Sequence, residues 1–262
     1  MFKRKPNRQN RFKRLLLKVL NLHALDKETF NLVNPQGIIN GENFFDLNKR
    51  SYILSSGYLD LKRKIKSLDI YYRYSPEVDL WNSSGSWKRI IPGINKKMLI
   101  KVCLLSLKIS IENFLKDNSL KINLNLIFDN SSNQFNDEIN KLMRSDMFQL
   151  TFTESNVKGN RGSFLECCDQ SIKAEDLIFF VEDDYLFKDT CIDELVFSYS
   201  RISTLLDRDV FLCPTDYSFY YDSIYKTALF IGKNNRWRYV NETLLTFIFS
   251  KNILDKYMRN IK

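Results

Sequence analysis

The hydrophobic pattern of this chain changes period several times, and the changes outline strands alternating with helices. Residues 177–181 form a continuous apolar run rich in β-branched and aromatic side chains, as in a strand covered on both faces. Residues 121–128 set Ile122, Leu124, Leu126 and Phe128 against Asn123 and Asn125, the period-2 signature of a strand. Residues 68–75 have strand propensity and stop at Pro76, with Tyr71 and Tyr72 suited to the core. Residues 96–116 instead place Leu99, Val102, Cys103, Leu107 and Ile111 on one broad face of a helix. Further along, 135–144 reads as a helix, 147–153 as a strand, and an amphipathic helix runs to Ile172. A helix at 189–206, a short strand at 209–214, an apolar stretch at 244–249 and a last helix complete the pattern. Such alternation predicts an α/β fold, with a parallel sheet flanked by helices. Residues 67–262 are expected to form it as a single domain. Residues 1–66 are an N-terminal extension and lead-in that carry no legible chemistry, although 47–61 predicts a strand or helix entering the domain.

Charge sharpens that division. The formal net charge is +9, but eight bases and no acid precede Asp26, so everything after them carries only +1. The domain itself is nearly neutral, and no nucleic-acid partner is expected for it. Leu15, Val19 and Leu22 recur at helical spacing among the bases. Residues 1–22 therefore predict contact with an anionic membrane surface, a nucleic-acid arm or a solvated helix being the alternatives. Lys18 interrupts the short apolar run there, so no secretory signal is predicted. No stretch approaches the roughly 20 apolar residues of a membrane span. Five cysteines, with Cys167 and Cys168 adjacent, do not form a disulfide framework and predict a reducing, cytoplasmic setting, peripheral at the membrane inner face if the arm binds lipid. His23 is the one histidine, which excludes mechanisms that need a histidine pair.

The candidate chemistry sits where the run at 177–181 stops. Glu182, Asp183 and Asp184 follow it directly, at the strand end where open α/β sheets bind ligands. Three adjacent acids repel one another, and a divalent cation or hydrogen-bond donors relieve the repulsion. A solvated acidic turn is the ordinary reading of an isolated Glu-Asp-Asp; the buried strand anchoring this one favours metal. Two more stretches could face the same crevice. Asp129 closes the strand at 121–128, where Asx turns also favour Asp. Residues 157–163 predict a loop before a helix, in which Gly159, Asn160 and Arg161 could meet an anion through backbone N–H groups and a guanidinium. The loop lacks the Gly-Lys-Ser/Thr ending of a Walker motif.

The strand with Glu182-Asp183-Asp184 resembles the Asp-x-Asp signature of GT-A nucleotide-sugar glycosyltransferases, in its Glu-Asp-Asp form. Order and spacing extend the resemblance over residues 68–256, and it implies the Rossmann-like GT-A fold, an α/β domain with a mixed, mostly parallel sheet flanked by helices. It further implies that Asp184 holds a Mn²⁺ or Mg²⁺ bridging the diphosphate of a nucleoside-diphosphate sugar, a UDP-sugar being favoured. Glu182 and Asp183 would then face the nucleoside and donor sugar. Arg73 and Tyr74 would touch base or phosphate, Asp129 the base or ribose, and residues 159–161 would precede the helix leading to the metal motif. The acceptor implied is a hydroxyl of a glycan or glycolipid, in polysaccharide biosynthesis at the cytoplasmic membrane face. Inverting transfer needs a carboxylate to take the acceptor's proton while the diphosphate leaves on metal. Glu242 is the first candidate and Asp216 the second.

Two other classes use the same residues differently. A metal-dependent nuclease or other phosphoryl-processing enzyme also clusters carboxylates at strand ends, but needs further acids and usually a basic groove. A non-enzymatic adaptor tethered to membrane or nucleic acid by its basic arm would make the acids incidental.

Overall fold

A computed structural model describes residues 61–77, 95–217, 228–240, 242 and 244–257. The chain divides into two compact units, Met1–Leu59 and Asp60–Lys262, and the described residues belong to the second. The expectations for the arm at 1–22, for His23 and for most of 47–61 lie outside the described residues.

In chain order the elements are β1 (Ser67–Tyr74), α1 (Lys96–Asp117), β2 (Lys121–Phe128), α2 (Asn133–Met143), β3 (Gln149–Glu154), α3 (Gly159–Ser171) and β4 (Leu177–Glu182). There follow α4 (Cys191–Leu206), β5 (Leu229–Ile231), β6 (Arg236–Arg238), β7 (Phe247–Ser250) and α5 (Lys251–Tyr257). Five strands form one sheet in the order β3-β2-β1-β4-β7, parallel except where β7 runs antiparallel to β4. The fold is α/β, a mixed and mostly parallel sheet flanked by helices; the hydrophobic pattern predicts the alternation of strands and helices, and the antiparallel β7 makes the sheet mixed.

Strand alternation sorts the side chains into two cores. Leu68, Ile70 and Tyr72 of β1 join Leu177, Phe179 and Val181 of β4 in a cluster with α1, α2 and α4. Tyr71, Ile178 and Phe180 lie in the other cluster, with Phe247, Phe249, Cys167 of α3 and Ile253 of α5. Every residue of β1 is buried, as a central strand covered on both faces requires. The second core is largely aromatic: Phe180 meets Tyr71, Phe164 and Phe249 nearly edge-on, at centroid separations of 5.9, 5.7 and 5.2 Å.

Three local expectations change. Val102 is exposed, because at about 100° per residue it lies about 140° around α1 from Leu107; Ile100, Leu104 and Phe114 fill the buried face instead. At 209–214, Leu212 alone pairs, by a bridge to Ile248. Gly159 is already helical, so 159–163 opens α3 rather than forming a loop. All five cysteines are free. Among the described residues no helix is long and apolar enough to cross a membrane.

The separate β5–β6 hairpin is fastened to α4 by one buried carboxylate. Glu194 accepts hydrogen bonds from Ser198 Oγ (2.7 Å), the backbone N–H groups of Lys233 (3.2 Å) and Asn234 (2.7 Å), and Trp237 Nε1 (2.9 Å). The hairpin backbone approaches so closely that a Cβ at Gly232 would lie 2.0 Å from Glu194 Oε1.

Candidate functional site

From β1 the chain steps outward to β2 and β3, then crosses to β4 on the opposite side of β1. Such a reversal marks the general ligand position in open α/β sheets, here at the carboxyl ends of β1 and β4. Glu182, Asp183 and Asp184 sit there, with Glu182 in register beside Arg73.

Alternation sends the first two acids to opposite faces of the sheet. Glu182 continues the side of Ile178 and Phe180, where Arg73 Nη2 donates to its Oε1 at 2.5 Å. Arg73 Nη1 also donates to the backbone oxygen of Asn160 at 3.1 Å and to its side-chain oxygen. One buried guanidinium thus joins β1, β4 and the first turn of α3. Asp183 turns to the α1 side, where Lys96 pairs with its Oδ1 and the Ser75 backbone N–H donates to Oδ2 at 3.1 Å. The protein's own cations therefore engage two of the three acids. Asp184 is solvent-exposed and makes no ion pair among the described residues.

The electrostatics follow that arrangement. Partial desolvation raises the Asp184 carboxyl above the ordinary aspartate value, the charge on Asp183 adds to the rise, and Lys96 opposes it. Glu182 is also raised, because its desolvation outweighs the pull of Arg73. Among the described residues no group of three or more His, Cys, Asp or Glu side chains is placed to enclose a metal ion.

Asp129 has a second role besides any at the crevice. Lys158, the N-cap of α3, makes no side-chain capping bond. Asp129 supplies the missing acceptor from the end of β2, its Oδ2 taking the Gly159 N–H, and a carboxylate suits the positive end of a helix. Its Oδ1 is buried without a partner among the described residues. Gly159 has φ +88°, a conformation side chains disfavour, while a Cβ at Gly162 would lie 2.0 Å from the Val157 carbonyl oxygen. Asp129→Ala is expected to cost about 1–2 kcal/mol as a lost cap, which urea denaturation would measure.

The remaining sequence-predicted residues are distributed around this centre. Tyr74 falls on the face opposite Arg73, so its ring lies in the first core and its hydroxyl donates to Asn136 Oδ1 at 2.8 Å. Arg161 is exposed in the first turn of α3. Asp216 is also largely exposed, 3.8 Å from Arg238 Nε; its neighbour Tyr217 bonds Tyr185, the residue after Asp184. Glu242 is exposed too, and Thr246, four residues on, accepts the Glu182 N–H at 3.1 Å. The segments bearing Asp216 and Glu242 thus both converge on the acidic turn.

Sequence reasoning missed Lys96, the Ser75 N–H and Thr246. Lys96 carried one usable signal: a helix that follows a strand in a parallel unit starts at the ligand-binding end of the sheet. A separate cleft of about 440 Å³ lies at the other end, lined by Arg63, Lys66, Asp176, Thr204, Arg208 and Asp209 among others. There Asp176 accepts the Arg63 guanidinium and the Lys66 N–H, which ties the lead-in to the start of β4. None of the candidate residues reaches it.

Comparison of the chain with protein-family models and with curated proteins finds no match.

Proposed function

We propose that this chain is a metal-dependent glycosyltransferase of the GT-A type, moving a sugar from a nucleoside-diphosphate sugar to a hydroxyl of a glycan or glycolipid. The observation that carries the reading is the acidic turn at the β1/β4 reversal, where Arg73 and Lys96 engage Glu182 and Asp183 and leave Asp184 exposed. Such a carboxylate suits Mn²⁺ or Mg²⁺, with the other oxygens coming from a diphosphate and water. The bound cation would neutralise charge on the departing diphosphate.

The chain's own residues have distinct tasks in this reading. Arg73 fixes Glu182 relative to the start of α3, and Arg161, exposed in the first turn of that helix, favours phosphate. Asp129 holds the start of that helix to the end of β2, beside the acidic turn. Glu242, or Asp216 in second place, takes the proton from the acceptor hydroxyl in an inverting transfer. UDP is the favoured nucleotide, and the work is done at the cytoplasmic membrane face.

Thermal-shift measurements with a panel of nucleoside diphosphates, with and without Mn²⁺, test this. One nucleotide is expected to raise the melting temperature only when metal is present. Metal-independent shifts, or none across the panel, would count against a transferase.

A further inference from the structure

α1 buries one face in the core and exposes an apolar stripe on the opposite one. Met98, Val102, Leu105 and Ile109 recur at i, i+4, i+7 and i+11, and are between 39% and 52% exposed. Beside them, the Phe187 N–H donates to Ser106 Oγ at 3.0 Å, which brings the preceding residue alongside the helix. That residue, Leu186, is 71% exposed, the most exposed large apolar side chain among the described residues. Single exposed apolar residues are ordinary; five gathered on one face call for an occupant.

The flanks say which. Apart from Lys96, which is turned to Asp183, α1 carries four lysines against two acids, Glu112 and Asp117, a net of +2, and Lys188 is exposed two residues from Leu186. Lys97 pairs with Glu77 at 2.6 Å and Lys101 with Glu138 at 2.5 Å, both partly exposed pairs, which are weak and exchange readily for other anions.

We propose that this outer face of α1 docks on an anionic lipid bilayer, the stripe entering the headgroup boundary and the lysines meeting lipid phosphates. A second copy of the chain fits less well. An antiparallel pair of these helices would set the flank of Lys101 and Lys108 against its own image, and four side chains fall well short of the roughly 800 Å² per partner of a stable interface. The docking does not depend on transferase activity. What it achieves does rest on that reading: Lys96, which holds Asp183, begins the same helix, so docking would bring the crevice to a glycolipid acceptor.

The test is co-sedimentation of the full chain with phosphatidylcholine vesicles, with and without phosphatidylglycerol. The parent should partition to the anionic vesicles. Leu105→Glu/Ile109→Glu, with an unchanged melting curve, should lower that partition at least tenfold although the basic residues 1–22 are intact, and Lys97→Ala/Lys188→Ala should lower it about fivefold per lysine. Asp184→Ala should bind like the parent, which keeps this result separate from the fate of the transferase reading. Unchanged partition in Leu105→Glu/Ile109→Glu, or no binding by the parent, overturns the proposal. So does a concentration-dependent dimer that this double variant abolishes without any vesicle binding.

Discussion

Replacing Asp184 with alanine is expected to lower sugar transfer at least about 100-fold, equivalent to about 2.7 kcal/mol of transition-state stabilisation, without weakening the fold. The two halves of that statement have different physical origins. Transfer falls because Glu182 is engaged by Arg73 and Asp183 by Lys96, so neither can replace the lost carboxylate without breaking an ion pair. Stability does not fall because the raised Asp184 pKa means that folding disfavours its charged form, first by desolvation and then through Asp183. Removing that charge relieves the cost. The melting temperature of the ligand-free variant should equal or exceed the parent's, while the metal-dependent nucleotide shift disappears. A variant that melts several degrees lower yet keeps the shift would show that Asp184 is a structural acid.

The largest loss of stability is expected at Glu194. Its carboxylate receives four donors from α4 and the β5–β6 hairpin, and hydrogen bonds to a charged group are worth about 1.5–3 kcal/mol each. Glu194→Ala leaves all four unanswered. Water admitted at the loosened hairpin limits the damage, so the expected loss is about 3 kcal/mol. Glu194→Gln is not a rescue: Oε1 accepts from Ser198, Lys233 and Trp237 and Oε2 from Asn234, so the amide nitrogen must confront a donor whichever way it turns.

The effect also has a pH signature. Burial alone would raise the Glu194 carboxyl, but the bonds from Trp237, Asn234 and Ser198 prevail and hold it below its ordinary 4.5. A folded-state value below the unfolded one gives a contribution that is complete above 4.5 and lost as pH falls through the folded value. The gap between parent and Glu194→Gln should therefore be widest near neutrality and close in acid. Urea denaturation near neutrality and in acid, followed by tryptophan fluorescence, measures it; a gap independent of pH would mean that the carboxylate's charge is not what fastens the hairpin.

The elements that carry the site were legible because their hydrophobic periods are clean. β2 occupies the residues whose alternation announced it, and β4 the buried run that ends in acids. What surrounds the acids was not legible, because it arises from pairings distant in sequence. Arg73 reaches Glu182 through the β1–β4 register, across more than one hundred residues of chain. Lys96 reaches Asp183 because a helix begins beside that strand end. Local spacing encodes neither contact. The early start of α3 is hidden from local spacing for the same reason: its capping acid, Asp129, lies thirty residues upstream. Val102 reads as core from the sequence because an apolar residue on a helix flanked by lysines does so whichever way it points.

Arg73 approaches the tip of β4 from the side of α3 and Lys96 from the side of α1. The strand end is in effect riveted to both layers of the sandwich. A displacement of either helix along the sheet must drag one inner carboxylate with it, so Asp184 sits at a mechanical junction where movement on either side is transmitted to the other.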